Sequence, residues 1–436
     1  MMKTIILSIC ASMSLHLAHS QSYTSYFTGN ATDIVTQPQF GICLMGGAGE
    51  SDDAMIWFLE RANGGDVLVL RASGADGYND YMYSDLGVSV NSVETIVFNN
   101  AAAASDPYVI GKVNNAEAIW FAGGDQGDYI DYWKGTAIED GINNLINVKQ
   151  GPVGGISAGM AILGQAYFSA SQGTITEEQA LANPFAPQMV IGYDDFLEVP
   201  FLENVITETH FNDPDRIRYG RIVAFMARLG FDQGIIPLGI ASNEYGAIAI
   251  DEFGLARAFG EYPEFEEDLV YFLQPNCEGP QGPELIASGS PLTWNRSQEA
   301  VKVYQVPATV NGENTFDLTN WHDGVGGTWE NWYVEAGVLT RTENAAQPNC
   351  FLGLESLNEL EIKLYPNPAQ SELWLSADID GIATYRIFDL SGRILQEGTK
   401  NSEPLLISLH QFTAGYYYIE LSVANRAKTI GFIKTP

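Results

Sequence analysis

Short apolar runs alternate with amphipathic stretches through the first two thirds of the chain. Runs at residues 40–45, 66–71, 95–98, 118–122, 152–156 and 189–192 predict strands. Residues 53–62, 138–147 and 216–229 carry apolar positions at helical spacing and predict helices between or after them. Strands separated by helical segments imply right-handed crossovers, so the expected fold class is α/β with a mostly parallel sheet. Gly46-Gly47 and Gly123-Gly124 follow strand ends, where open α/β sheets place their sites.

The rhythm stops after residue 277. Residues 278–362 read as an irregular β segment holding four of the eight tryptophans, Trp294, Trp321, Trp329 and Trp332. Such a cluster serves either as a carbohydrate platform or, more commonly, as packing for an accessory subdomain. From 363 to 436 the pattern is strand and turn only. Apolar alternation at 372–375, 383–389, 393–397 and 416–423 is broken at Ser391-Gly392 and Ala414-Gly415.

Charge sharpens the division. The 436 residues carry a formal net charge of −33. Residues 21–362 hold 13 basic and 47 acidic residues, whereas 363–436 hold 7 of each. So acidic a chain lacks the basic face that a nucleic-acid partner requires. Residues 1–20 read as a secretory signal, with Lys3, an apolar stretch, and Ala18-His19-Ser20 before Gln21. No apolar run of about 20 residues follows, which argues against a membrane-spanning helix. Cys10 falls in the signal, and Cys43 sits in an apolar run and reads as a buried hydrophobe. Cys277 and Cys350 each end a Gln-Pro-Asn-Cys string, and an oxidising compartment would allow them to pair. No second Cys or His stands at ligand spacing beside either, so a metal site is the weaker reading.

Gly155-Ile156-Ser157-Ala158-Gly159 is a G-x-S-x-G sequence at the end of one strand and before a helical segment. Its glycines permit a sharp strand-to-helix turn that exposes a nucleophilic hydroxyl. A serine nucleophile needs a base. His16 and His19 lie in the signal, His410 in the tail and His322 in the Trp-rich segment, which leaves His210. The order argues against an α/β-hydrolase, whose acid and histidine come late in the domain. Arg216, Arg218, Arg221 and Arg228 form a basic cluster just after His210. They are either a charged helix face or a carboxylate-binding site, and position favours the second for Arg216 and Arg221 and a structural role for Arg228.

Two resemblances follow. Leu364-Tyr365-Pro366-Asn367-Pro368, the segment from Ile387 to Arg393, Gly415–Ile419 and Lys434 resemble the C-terminal sorting domain of the type IX secretion system. That resemblance implies an Ig-like β-sandwich and export across the outer membrane. The second rests on Gly46-Gly47-Ala48-Gly49-Glu50, Gly123-Gly124-Asp125-Gln126, the Ser157 motif, Ala180–Pro184, and His210-Phe211 with the arginines behind it. These pieces resemble the cyanophycinase family of serine peptidases, which includes aspartyl dipeptidase.

The family resemblance implies a three-layer, class I glutamine-amidotransferase-like fold, with Ser157 as nucleophile and His210 as base. It implies an oxyanion hole at the N–H groups near Gly124 and Ala158, and no metal or organic cofactor. Asp125, Gln126, Glu208, Arg216, Arg218 and Arg221 would line the substrate pocket. The acid of the triad is expected between Ser157 and His210, at Glu178 or Glu177, with Glu178 favoured; both also suit the first turn of a helix as solvated acids. Two departures touch the pocket. Glu208-Thr209 stands where the family commonly has Asp-Gln, and the arginines lie two residues farther from His210, as if 212–215 contained an insertion.

The expected organisation is therefore a signal (1–20), an α/β peptidase domain (21–277), a Trp-rich β segment (278–362) and a sorting domain (363–436). The expected activity is hydrolysis of cyanophycin to β-Asp-Arg dipeptides. Its alternatives are a peptidase for other aspartyl or isoaspartyl peptides and an inactive secreted binding protein. Expected partners are the substrate and the type IX machinery, no nucleic acid, with room for a homodimer.

Overall fold

The computed structural model describes residues 21–349, 362–377, 383–389, 393–401, 403–423 and 426–436. The signal expected at 1–20 lies outside these residues, as does Cys350. The chain divides between Pro348 and Asn349 into two units.

The first unit begins β1 (Tyr23–Gly29), β2 (Gly41–Met45), α1 (Asp52–Arg61), β3 (Asp66–Arg71), α2 (Gly77–Asp80) and β4 (Ser92–Phe98). It continues α3 (Pro107–Asn115), β5 (Ala118–Phe121), α4 (Gln126–Trp133), α5 (Ala137–Asn144), β6 (Pro152–Ile156) and α6 (Ala158–Ala161). Then come β7 (Ala166–Phe168), α7 (Glu177–Ala182), β8 (Ile191–Tyr193), β9 (Val205–Glu208), α8 (Tyr219–Gln233) and β10 (Leu238–Ser242). The remaining strands are β11 (Ala247–Ile250), β12 (Leu255–Tyr262), β13 (Leu269–Pro275), β14 (Val301–Pro307), β15 (Thr315–Asp317), β16 (Gly324–Val325), β17 (Thr328–Glu335) and β18 (Val338–Thr342).

Two sheets result, in the orders β1-β4-β3-β5-β6-β2-β11-β12-β15-β16 and β18-β17-β14-β13-β10-β9-β7-β8. The run β4-β3-β5-β6-β2 is parallel throughout, as the strand–helix alternation predicts. In the second sheet β7, β9 and β10 are parallel. Beyond them the pairings are antiparallel and outnumber the parallel ones, which corrects the expectation of a mostly parallel sheet. From β11 onward the chain folds back through short connections such as β11–β12 and β17–β18, and a short turn can only give antiparallel neighbours.

Alternate residues of β2 face opposite ways. Cys43 and Met45 pack on α1 through Met55, Phe58 and Leu59. Ile42 and Leu44 join the core made with Val109 and Val113 of α3, Trp133 of α4 and Ile142 of α5. Helices thus cover both faces of the parallel strands. β13 alternates in the same way, with Val270 and Phe272 in that central core and Tyr271 and Leu273 turned to the apolar side of α8. The helices start and stop where local chemistry says they should. Ser51 Oγ accepts from Ala54 N–H at the start of α1, ahead of Asp52 and Asp53. Gly234, at φ 68°, ends α8.

The boundary expected at 277/278 is not a boundary. β13 pairs with β14 from Leu269↔Pro307 to Pro275↔Val301, and β15 pairs with β12. Residues 301–342 therefore complete both sheets of the first unit. Trp294, Trp329 and Trp332 are buried, which settles their role as packing; Trp332 lies against Phe211 and Tyr219, with the Arg341 guanidinium 4.8 Å from its ring centre. Cys43 is a free, fully buried thiol, and burial pushes its pKa up. Cys277 is disulfide-bonded.

The second unit has two antiparallel sheets. β19 (Ile362–Tyr365), β20 (Glu372–Ala377) and β23 (Leu405–Ser408) form one. β22 (Ile394–Lys400), β21 (Ala383–Phe388), β24 (Gly415–Val423) and β25 (Arg426–Lys434) form the other. Leu373, Leu375 and Ile407 from the first share one core with Ile387, Ile419 and Phe432 from the second. Among the described residues no helix is long and apolar enough to cross a membrane.

Candidate active site

Four loops at the carboxyl ends of strands bring the chemistry together. They follow β2 (Gly46–Glu50), β6 (Ser157), β9 (His210) and β10 (Glu244); the first two strands belong to one sheet and the last two to the other. The site is therefore assembled where the two sheets meet.

Ser157 stands between β6 and α6 with φ 53° and ψ −114°, a left-handed position costly for a residue with a Cβ. Its N–H donates to the Met45 carbonyl at 3.0 Å, which helps to hold the turn. Gly159 is required by the close approach behind it, because a Cβ there would lie 2.1 Å from the Phe121 carbonyl oxygen. Ser157 Oγ lies 2.7 Å from His210 Nε2, and His210 Nδ1 lies 2.7 Å from Glu244 Oε1. A carboxylate oxygen accepts, so this arrangement places the imidazole proton on Nδ1 and leaves Nε2 to take the Ser157 proton. The His210 and Glu244 side chains are about one quarter exposed, which keeps the relay reachable from solvent.

His210 also has a left-handed backbone, at φ 48°. Its N–H donates to the Gly46 carbonyl at 2.9 Å. Its ring rests on Gly47, where φ is +136° and an added Cβ would lie 2.3 Å from Cε1. Gly47→Ala is expected to push the imidazole off Ser157 and slow modification of the serine by a fluorophosphonate about 100-fold, with the circular dichroism spectrum unchanged. A normal labelling rate in that variant would mean the ring is not seated on Gly47.

The carboxylate against His210 Nδ1 is Glu244, not the Glu178 or Glu177 expected from the sequence. Glu244 lies in the turn after β10, beyond His210 rather than before it. Glu178 is exposed in the first turn of α7. Glu177 Oε2 accepts from Gly220 N–H at 2.6 Å, in the first turn of α8, and burial raises its pKa. Both are first-turn acids of α7, favoured there by the helix dipole. Glu244 was missed because β9 and β10 were not placed from the sequence. The available signal was an acid in a polar turn, Asn243-Glu244-Tyr245-Gly246, directly after the apolar run 238–242.

The structure also redistributes the pocket residues. Arg221 is buried and gives a two-pronged pair to Glu208, with Nε–Oε2 at 2.7 Å and Nη2–Oε1 at 2.6 Å. Its remaining Nη1 donates to the Ile175 carbonyl at 3.2 Å. Neither Arg221 nor Glu208 is open to a substrate; a buried guanidinium needs a buried carboxylate, and each satisfies the other. Arg218 Nη1 donates to the Thr209 carbonyl at 2.9 Å and lies 3.6 Å from Glu208, and burial lowers its pKa. Arg216 is exposed. Arg228 pairs with Asp232 at 2.7 Å and donates to the Pro184 carbonyl, the structural role expected of it.

Asp125 Oδ1 accepts from Gly127 N–H at 2.8 Å and caps α4. Gln126 Nε2 points to the Phe168 carbonyl at 3.5 Å. Tyr129 Oη donates to the Ala122 and Gly123 carbonyls at 2.8 and 3.1 Å and so pins the turn beside Ser157. A Cβ added at Gly123 would sit 3.7 Å from Ser157 Cβ, which places that turn against Ser157. Ala158 opens α6, so its N–H belongs to the helix turn that has no intrahelical acceptor. On the other side of Glu244, Tyr245 forms part of a groove of about 780 Å³ walled by Glu50, Asp52, Asp53, Glu261, Glu264 and Asp268.

No curated protein matches the chain. Among solved structures, a peptidase from an acI-B1 Actinobacterium is similar at 15% identity and TM-score 0.39, over 64% of this chain and 98% of its own. A putative peptidase E protein from Listeria monocytogenes EGD-e is similar at 14% identity and TM-score 0.32, over 51% of this chain and 98% of its own. Residues 363–435 match the model of the secretion system C-terminal sorting domain, which marks the protein as cargo of the type IX machinery, secreted or held at the cell surface.

Proposed function

We propose that the protein is a secreted serine peptidase that hydrolyses cyanophycin, a poly-aspartate backbone with arginine on each side-chain carboxyl, to β-Asp-Arg dipeptides. The observation that carries this reading is the unbroken relay from Ser157 Oγ through His210 to Glu244. An idle binding protein has no need of a strained serine aligned on an imidazole and a carboxylate.

In this reading Ser157 Oγ attacks the amide carbonyl while its proton passes to His210 Nε2. Glu244 stabilises the imidazolium that forms. The tetrahedral oxyanion is held by the N–H groups of Gly124 and Ala158. The C–N bond then breaks, the leaving amine takes the proton from His210, and an acyl-serine remains. Water gives a proton to His210 and attacks the ester, which returns the carboxyl product and free Ser157. Arg216, which is exposed, is the cation left for a free carboxylate of the substrate, the α-carboxyl of an arginine carried on an aspartyl side chain. The acidic groove next to Tyr245 suits the substrate's guanidinium groups. We read the first unit as class I glutamine-amidotransferase-like and the tail as an Ig-like sandwich.

The test is dipeptide release from insoluble cyanophycin by the wild-type chain and by Ser157→Ala. Release by the wild type alone is expected. A folded wild type that releases nothing from cyanophycin but cleaves small β-aspartyl peptides would replace the polymer with those peptides as substrate.

A further inference from the structure

The segment 210–212 holds Glu244 at two points. His210 Nδ1 meets its carboxylate at 2.7 Å, and Asn212 Oδ1 accepts from its backbone N–H at 2.9 Å. The other end of the Asn212 amide, Nδ2, reaches Glu267 Oε2 at 3.4 Å. Glu267 is tied in turn to the same turn, because Asn243 Nδ2 donates to its carbonyl at 2.7 Å. On the far side Tyr245 N–H donates to the Gly47 carbonyl at 3.0 Å, under the His210 ring. The backbone on either side of Glu244 is thus anchored to the two loops that hold the imidazole.

A glutamate has three side-chain torsions, so a carboxylate fixed at 2.7 Å from one nitrogen depends on where its Cα stands. Glu244 is in a turn and one quarter exposed, where its N–H would otherwise be left to water.

We propose that Asn212 is a positioning residue: it fixes the backbone of Glu244 relative to His210 and thereby sets the rate of acylation, without a part in substrate binding. This rests on the peptidase reading, but its structural half does not. In acylation the proton leaving Ser157 makes an imidazolium, and a carboxylate that has drifted from Nδ1 stabilises it less.

The experiment uses the full chain with Asn212→Ala, Asn212→Asp, and Asn212→Asp combined with Glu267→Gln. Three readouts are taken: the rate of Ser157 labelling by a fluorophosphonate, the His210 Nδ1 proton signal in histidine labelled with nitrogen-15, and the melting temperature. Asn212→Ala is expected to slow labelling about 100-fold and to move or broaden the Nδ1 signal, with KM for a cleaved substrate unchanged. Asn212→Asp keeps the acceptor for Glu244 N–H but sets two carboxylates face to face, so it is slowed as well. Adding Glu267→Gln reverses donor and acceptor at that contact and is expected to restore most of the rate and the signal.

Normal labelling and an unchanged Nδ1 signal in Asn212→Ala would overturn the proposal. So would a double variant no better than Asn212→Asp alone. If Asn212→Ala does not fold, the Asp and Asp/Gln pair decides. If the wild type is never labelled, the peptidase reading fails by itself, while the Nδ1 signal still decides whether Asn212 positions Glu244.

Discussion

Glu244→Gln is expected to lower kcat by about 1,000- to 10,000-fold with little change in KM, whereas Glu178→Gln and Glu177→Gln stay near wild type. The amide can donate to Nδ1, which favours the tautomer with its proton on Nε2. His210 then cannot take the proton from Ser157, and the neutral amide gives the imidazolium no counter-charge. The loss falls on the proton transfers through His210, in acylation and deacylation alike, so ground-state binding is spared. Fluorophosphonate labelling checks this without a known substrate, since it needs the same proton transfer. Retained labelling in Glu244→Gln together with its loss in Glu178→Gln would return the acid to α7 and contradict the 2.7 Å contact at Nδ1.

The second large effect concerns stability. Glu208 and Arg221 are both at least nine-tenths buried and joined by two short contacts. Removing one partner of a buried pair strands the other, at about 3–5 kcal/mol. The two single variants should not be equal. Arg221→Met leaves Glu208 with Arg218 at 3.6 Å, but Glu208→Gln leaves two enclosed guanidinium groups without a counter-charge. Thermal unfolding of the first unit should therefore fall more for Glu208→Gln than for Arg221→Met. Combining Arg221→Met with Glu208→Leu should recover only part of the loss, because Arg218 stays unpaired. A substrate-binding arginine would behave in the opposite way, with KM raised and the melting temperature kept. That outcome for Arg221→Met would reinstate it in the pocket.

The parallel core was legible because its signals are local. Residues 66–71 and 152–156 were expected as strands and are β3 and β6 to the residue. Neither carries a polar side chain between its end residues, as strands covered on both faces require, and polar residues or glycines bound them. Ser157 was legible for the same reason, since a strand–turn–helix with glycines on either side of a serine spans only a few residues. The helix expected at 216–229 runs instead from Tyr219 to Gln233, since Arg218 and the residues before it are occupied in holding the His210 loop. β14 to β18 fall within the separate β segment expected at 278–362 yet join the two sheets of the first unit, because strand periodicity says that a strand exists, not which sheet it joins.

The sequence by itself determined the parallel strands, the strand–turn–helix that carries Ser157, and the existence of an all-β tail. All of these are fixed by residue type and spacing within short windows. The tertiary structure decided which carboxylate meets His210, the second sheet and the partners of the arginines. Glu244 meets His210 only because β9 and β10 lie parallel and adjacent and their loops close on the one after β2. Arg221 is withdrawn from the pocket only because Glu208 is buried within reach of it. Whether a charge faces substrate or faces another charge depends on burial and distance between segments far apart in the chain, and residue spacing encodes neither.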